Sequence, residues 1–91
     1  MKITIHLPGV LRPSTGGQGR IDVDASTVSG ALEALVTLHP SVARYVSPKE
    51  GKLPNYVRVF VGDRDVNGLQ GLETPLKEGD VIRVIPAIAG G

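Results

Sequence analysis

Only one long stretch of this chain spaces its apolar residues like a helix, and it stands between segments that alternate with period two. Val28, Ala31, Leu32, Leu35 and Leu38 share one stripe when a helix turns once every ~3.6 residues. Ser26 or Thr27 can cap it, because a side-chain oxygen there accepts a bond from an orphan backbone N–H. Pro40 ends it, lacking an N–H and disfavouring the helical conformation at His39. A lone amphipathic helix cannot bury its own stripe, so the alternating segments must form a sheet for it to cover.

Those segments are legible on both sides. Ile3, Ile5 and Leu7 alternate with Lys2, Thr4 and His6, and Ile21 and Val23 alternate with Arg20, Asp22 and Asp24, as in strands buried on one face. Between them, Arg12 to Gly19 holds turn formers and no core residue, which predicts a long, flexible hairpin tip. After the helix, Val42, Tyr45 and Val46 suggest one more turn, and residues 47–56 an exposed loop. Val57, Val59 and Val61 make a third strand, Gly62 to Asp65 a turn, and a short return strand is expected near Val66. Leu69 to Glu78 contains Thr74-Pro75, a helix-start signature, but is too short for more than a turn, and Lys77-Glu78-Gly79-Asp80 is a tight turn into a last strand, Val81 to Ile85. The order β–β–α–β–β–β predicts an α+β, β-grasp (ubiquitin-like) fold. A mixed sheet of four to five strands would carry one main helix on one face, with the first and last strands as parallel central neighbours. Small barrels of SH3 or OB type need more strand and rarely place such a helix after the first hairpin. Residues 1–86 would be the domain and residues 87–91 a flexible C-terminal tail.

Composition removes several functions. Ten Lys and Arg against nine Asp and Glu give a net charge of +1, which leaves no excess of basic surface for wrapping nucleic acid. With no cysteine in 91 residues, a disulfide framework, a thiolate zinc site and a cysteine nucleophile are excluded. No apolar run reaches the ~20 residues that span a bilayer, and the alternating start is unlike a signal peptide. A cytoplasmic protein without membrane attachment is expected.

Side-chain chemistry is equally sparse. His6 and His39 are the two histidines, one on the polar face of a strand and one at a helix end, as solvated surface residues are. Asp63 and Asp65 suit backbone hydrogen bonding in a turn. Gly16-Gly17-Gln18-Gly19 lacks the Gly-Lys-Ser/Thr ending of a phosphate loop and joins two strands instead of opening a helix. No catalytic residue or metal site is expected, and the chain is not expected to be an enzyme.

The remaining candidate is the ending, Ile88-Ala89-Gly90-Gly91. Glycines without Cβ atoms let a backbone lie extended in a channel too narrow for other residues. They could thread a terminal carboxylate to a nucleotide held by a partner. A carboxylate is a poor acyl donor, but its adenylate has a good leaving group. A sulfur nucleophile replacing AMP would leave a thiocarboxylate on Gly91.

The whole chain resembles the MoaD/ThiS family of ubiquitin-like sulfur carriers. The resemblance is carried by Lys77-Glu78-Gly79-Asp80, the apolar strand that follows, Pro86 and Gly90-Gly91. Leu7-Pro8, Leu11-Arg12-Pro13, Thr15-Gly16-Gly17-Gln18 and the ending from Ala87 are most similar to the branch that serves cysteine biosynthesis. Ala87 stands where the small subunit of molybdopterin synthase commonly has a proline, and the thiamin branch lacks a loop like 47–56. The resemblance implies activation of Gly91 by an E1-like adenylyltransferase and sulfurtransferase using ATP and Mg²⁺. A sulfur-accepting enzyme would follow, either like a pyridoxal-phosphate cysteine synthase or the molybdopterin synthase large subunit. A metallopeptidase would release a product left on Gly91. All cofactors would belong to these partners. A molybdopterin synthase small subunit and a ubiquitin-like protein modifier are the alternatives.

Alternation also predicts where partners dock. With Val57, Val59, Val61, Ile82 and Val84 turned to the helix, Arg58, Phe60, Val81, Arg83 and Ile85 share the uncovered face. An apolar patch of Phe60, Val81 and Ile85 flanked by Arg58 and Arg83 is the expected docking face.

Overall fold

Alternation becomes strand wherever one face is covered. β1 (Lys2–His6) buries Ile3 and Ile5, and β2 (Arg20–Asp24) buries Ile21 and Val23. The register sets Ile3 opposite Val23 and Ile5 opposite Ile21, so both strands bury the same side. In the computed structural model, which describes residues 1–47, 53 and 56–86, β3 (Val57–Val61), β4 (Arg64–Asp65) and β5 (Val81–Pro86) complete a five-stranded sheet. Its order is β2-β1-β5-β3-β4; β1 and β5 run parallel at the centre and the other pairs antiparallel. This is the β-grasp arrangement, with five strands.

The parallel register has a local cause. The Lys77–Asp80 turn closes on itself, with Lys77 N–H donating to Asp80 Oδ2 at 2.8 Å and Asp80 N–H to the Lys77 carbonyl at 3.0 Å. Gly79 sits at φ +86°, where a side chain would be strained. The same turn grips the start of β1. Gly79 N–H donates to the Lys2 carbonyl (2.9 Å), Lys2 N–H to Glu78 Oε1 (2.8 Å) and Thr4 N–H to the Asp80 carbonyl (3.1 Å). The Lys-Glu-Gly-Asp motif therefore aligns the two central strands before either ladder begins.

α1 (Val28–Leu38) lies across the sheet and buries Val28, Ala31, Leu32 and Leu35. Thr27 is its cap, its Oγ1 accepting from Gly30 N–H at 3.1 Å. Leu38, expected in the buried stripe, is 57% exposed. At ~100° per residue it falls roughly 70° from the centre of that stripe, beyond the helix's last covered turn. A 3₁₀ turn (Pro40–Val42) and the short helix α2 (Ala43–Val46) follow and bury Val42 and Val46.

The first hairpin is not the flexible tip that its composition predicts. Gly9–Thr15 forms a 3₁₀ turn that buries Leu11 and Thr15, the latter only 2% exposed. The Thr15 hydroxyl lies 2.7 Å from the Gln18 carbonyl oxygen and 3.1 Å from that of Arg12. A hydroxyl satisfied in this way can be buried without the usual desolvation penalty. Gly16 at φ +66° and Gly17 at +92° then let the chain return toward β2.

One further expectation is corrected. The return strand is Arg64–Asp65, ahead of Val66, because Gly62 at φ +64° turns the chain tightly and pairs Val61 with Arg64. Val66 instead opens a 3₁₀ turn and is buried in the core. Around Thr74-Pro75 the chain makes only a short turn, Gly71–Glu73, as its length allows. The Thr74 hydroxyl donates to the Gly71 carbonyl at 2.7 Å and accepts from Gln70 N–H at 3.1 Å, and Pro75 bridges to Thr27 beside the helix start. Most of the expected 47–56 loop lies outside the described residues.

Candidate functional site

The docking face is built by β3 and β5, whose register is Arg58 opposite Ile85, Val59 opposite Val84, Phe60 opposite Arg83 and Val61 opposite Ile82. Val59, Ile82 and Val84 are buried against the helix side, so Arg58, Phe60, Val81, Arg83 and Ile85 turn to the uncovered face. Arg58, Arg83 and Ile85 are exposed, while Phe60 and Val81 are half-buried. Arg83 does not flank the apolar trio, as its sequence position suggested. It lies on β5 between Val81 and Ile85 and directly opposite Phe60, at the centre of the three. Arg58 is partnered within the chain, its Nη1 lying 3.2 Å from Asp65 Oδ2. That ion pair is exposed and contributes little to stability.

The register also assembles a row that the sequence alone did not. Arg20 stands opposite His6, His6 opposite Arg83, Arg83 opposite Phe60 and Phe60 opposite Asp65, one rung across all five strands. Period two puts His6 and Arg20 on a polar face, and the register of the parallel β1–β5 pair brings them beside Arg83.

The candidate reactive segment follows β5 directly. Pro86 is the last residue of that strand and pairs with Val57. Ile88, Ala89, Gly90 and Gly91 lie outside the described residues. The face formed by Arg58, Phe60, Val81, Arg83 and Ile85 thus adjoins the point from which the last residues depart.

Elsewhere the chemistry is structural. Among the described residues no group of three or more His, Cys, Asp or Glu side chains could hold a metal ion, and no helix is long and apolar enough to cross a membrane. A groove lined by Val61, Arg64, Leu69, Pro75 and Lys77 opens at the end of the sheet away from Pro86. Asp24 accepts from the Met1 ammonium at 2.6 Å. That hydrogen bond holds the Asp24 carboxyl below its ordinary range and raises the ammonium above its own.

With this geometry in hand, the model of the ThiS family matches residues 5–91. The chain belongs to the ThiS family. It is 34% identical to the sulfur carrier protein CysO of Mycobacterium tuberculosis, over 100% of both chains. Its fold superposes with a TM-score of 0.88 on a chain of the crystal structure of the Amycolatopsis orientalis BexX/CysO complex, at 36% identity and covering 98% of this chain and 99% of that one. It is also 35% identical to small archaeal modifier protein 3 of Haloferax volcanii, over 79% of this chain and 76% of that protein. Membership agrees with the resemblance carried by Lys77-Glu78-Gly79-Asp80 and Gly90-Gly91, and the motif's role in aligning β1 with β5 gives a physical reason for its place there.

Proposed function

We propose that this protein is a sulfur carrier serving cysteine biosynthesis, a co-substrate of other enzymes without an active site of its own. In the first step the Gly91 carboxylate attacks the α-phosphorus of ATP on an E1-like adenylyltransferase, forming an acyl-adenylate and releasing pyrophosphate, with Mg²⁺ held by that enzyme. In the second, a sulfide equivalent attacks the acyl carbon, the bond to AMP breaks and a thiocarboxylate remains. On a cysteine synthase-like enzyme the thiocarboxylate sulfur then bonds to the β-carbon of O-phosphoserine as phosphate leaves. The resulting cysteine stays joined to the Gly91 carbonyl, and a metallopeptidase hydrolyses that bond, freeing cysteine and restoring the carboxylate. ATP, metal and pyridoxal phosphate reside on these cytoplasmic partners. Gly90, Ala89 and Ile88 thread the partner's channel, while Phe60, Val81, Arg83 and Ile85, with Arg58 beside them, meet its surface.

The observation that carries this reading is the match to CysO along the full length of both chains. The BexX/CysO complex supports the idea that a β-grasp body of this kind is recognised by docking onto a second protein. A second reading, a ubiquitin-like modifier joined to lysines through the same activated glycine, is favoured by the likeness to small archaeal modifier protein 3. Use as a molybdopterin synthase small subunit is the remaining family alternative.

The test is to append one residue after Gly91 and follow pyrophosphate release from ATP with the activating enzyme of the same cell. Adenylation should be lost while the melting temperature stays within a degree or so of the parent. Undiminished pyrophosphate release from the extended chain would end both activated-terminus readings and leave a simple binding module.

A further inference from the structure

We propose that the rung Arg20–His6–Arg83 is a cationic stripe that selects a partner by an acidic protein surface, distinct in role from the apolar trio beside it. For the partner's identity as the enzyme that handles Gly91 the inference rests on the carrier reading; for the stripe itself it rests on strand register.

The stripe spans three adjacent strands, with Arg20 directly opposite His6 and His6 directly opposite Arg83. Neighbouring strands lie ~4.8 Å apart, so the two arginines leave the sheet about 10 Å from one another with an imidazole between them. The two arginines are separated by β1, so neither gains nor loses much from the other across the sheet. Their use must be sought outside the fold.

The acidic residues of the same sheet are already engaged. Asp22 accepts from Thr4 Oγ1 at 2.9 Å, Asp24 from the Met1 ammonium at 2.6 Å, and Asp65 from Arg58 at 3.2 Å and Asn67 N–H at 2.9 Å. Glu78 and Asp80 are held at the start of β5 by backbone N–H groups, at 2.8 Å each. Among the described residues neither Arg20 nor Arg83 has a carboxylate partner. With a net charge of only +1, this polarity comes from arrangement and not from composition. Asp22, Asp24, Glu78 and Asp80 gather toward the β1 and β5 starts, and Asp65, at the far edge of the stripe's own rung, is taken by Arg58 and Asn67 N–H, so Arg20 and Arg83 are left without a carboxylate among the described residues.

Position completes the case. Arg83 precedes Pro86 by three residues, about 10 Å of strand. A partner that receives the chain end therefore works within reach of Arg83, the stripe residue on β5, and Phe60 lies opposite Arg83 on the same rung. The complementary surface is one of carboxylates around an apolar contact. Arginine's planar fork suits carboxylates, and opposite potentials hasten encounter and reject partners of the wrong sign.

The test is an NMR titration of the ¹⁵N-labelled full chain with a glutamate-rich peptide carrying one leucine. Saturable shifts centred on Arg20, His6, Arg83 and Phe60 are expected, weakened about tenfold by the double variant Arg20→Glu/Arg83→Glu and reduced by salt. The Arg20→Gln/Arg83→Gln variant, which introduces no repulsion within the sheet, should lose binding to a lesser degree while keeping a dispersed spectrum. Shifts centred elsewhere, affinity indifferent to both double variants, or equal binding of a DNA oligonucleotide would overturn the proposal. Removing Gly90-Gly91 should not weaken the peptide. The titration uses no tail chemistry, so failure to find sulfur on Gly91 would remove the carrier reading without altering this result.

Discussion

Replacing Thr15 by Val tests whether the first hairpin is an ordered cap on the core. Val matches Thr in shape and removes only the hydroxyl, so the core volume is kept. The Arg12 carbonyl would retain its bond from Gly17 N–H at 2.8 Å, but the Gln18 carbonyl would lose a 2.7 Å donor. Leaving a fully buried acceptor bare costs ~1–3 kcal/mol. Gln18 is an exposed residue, so water can replace part of the lost bond and the lower end applies, about 1 kcal/mol. In a domain of this size that lowers the melting temperature by roughly 4–8 °C. Thr15→Ser, which keeps the hydroxyl and removes a buried methyl, serves as the control and should cost about 1 kcal/mol through lost packing alone. Thermal unfolding followed by circular dichroism measures both. A Thr15→Val protein that melts with the parent would refute the ordered cap and restore the flexible tip.

Other outcomes follow from single contacts. Thr27→Ala removes the α1 cap and should cost about 1 kcal/mol in urea unfolding, whereas Ser26→Ala should cost a few tenths. Phe60→Ala and Arg83→Glu should leave the melting temperature within a few degrees of the parent but weaken binding to the activating enzyme; unchanged affinity would remove the docking face. Arg58→Ala should be almost neutral for stability, because its pair with Asp65 is exposed. The Asp24 carboxyl is depressed in the folded state by its bond to the Met1 ammonium. Its small stabilising effect is therefore present above the unfolded carboxyl value and lost as pH falls through the folded one. A ¹³C carboxyl titration giving Asp24 an ordinary midpoint would contradict that contact.

What could be read from the chain was set by burial. Ile3, Ile5, Val59, Ile82 and Val84 announce their faces because period two leaves one choice of which side meets the helix. Val28, Ala31, Leu32 and Leu35 did the same for α1. Legibility failed where a polar residue is buried or where pairing is non-local. Thr15 looks like a turn former until its bond to the Gln18 carbonyl is known. Val66 lies inside a 3₁₀ turn because Gly62 shortens the hairpin. On the docking face, alternation named Arg58, Phe60, Val81, Arg83 and Ile85, but only the β3–β5 register puts Arg83 at their centre. Only the β1–β5 register brings His6 and Arg20 beside it. The chemistry proposed for Gly91 rests on sequence and kinship, since Ile88 to Gly91 lie outside the described residues.

The central claim is met most directly by the intact mass of the protein taken from its native cell during sulfur-limited growth. The account predicts a population heavier by the exchange of one oxygen for sulfur, with fragmentation placing the change on Gly91. A chain that is everywhere unmodified, or found only in covalent ladders with other proteins, would contradict it.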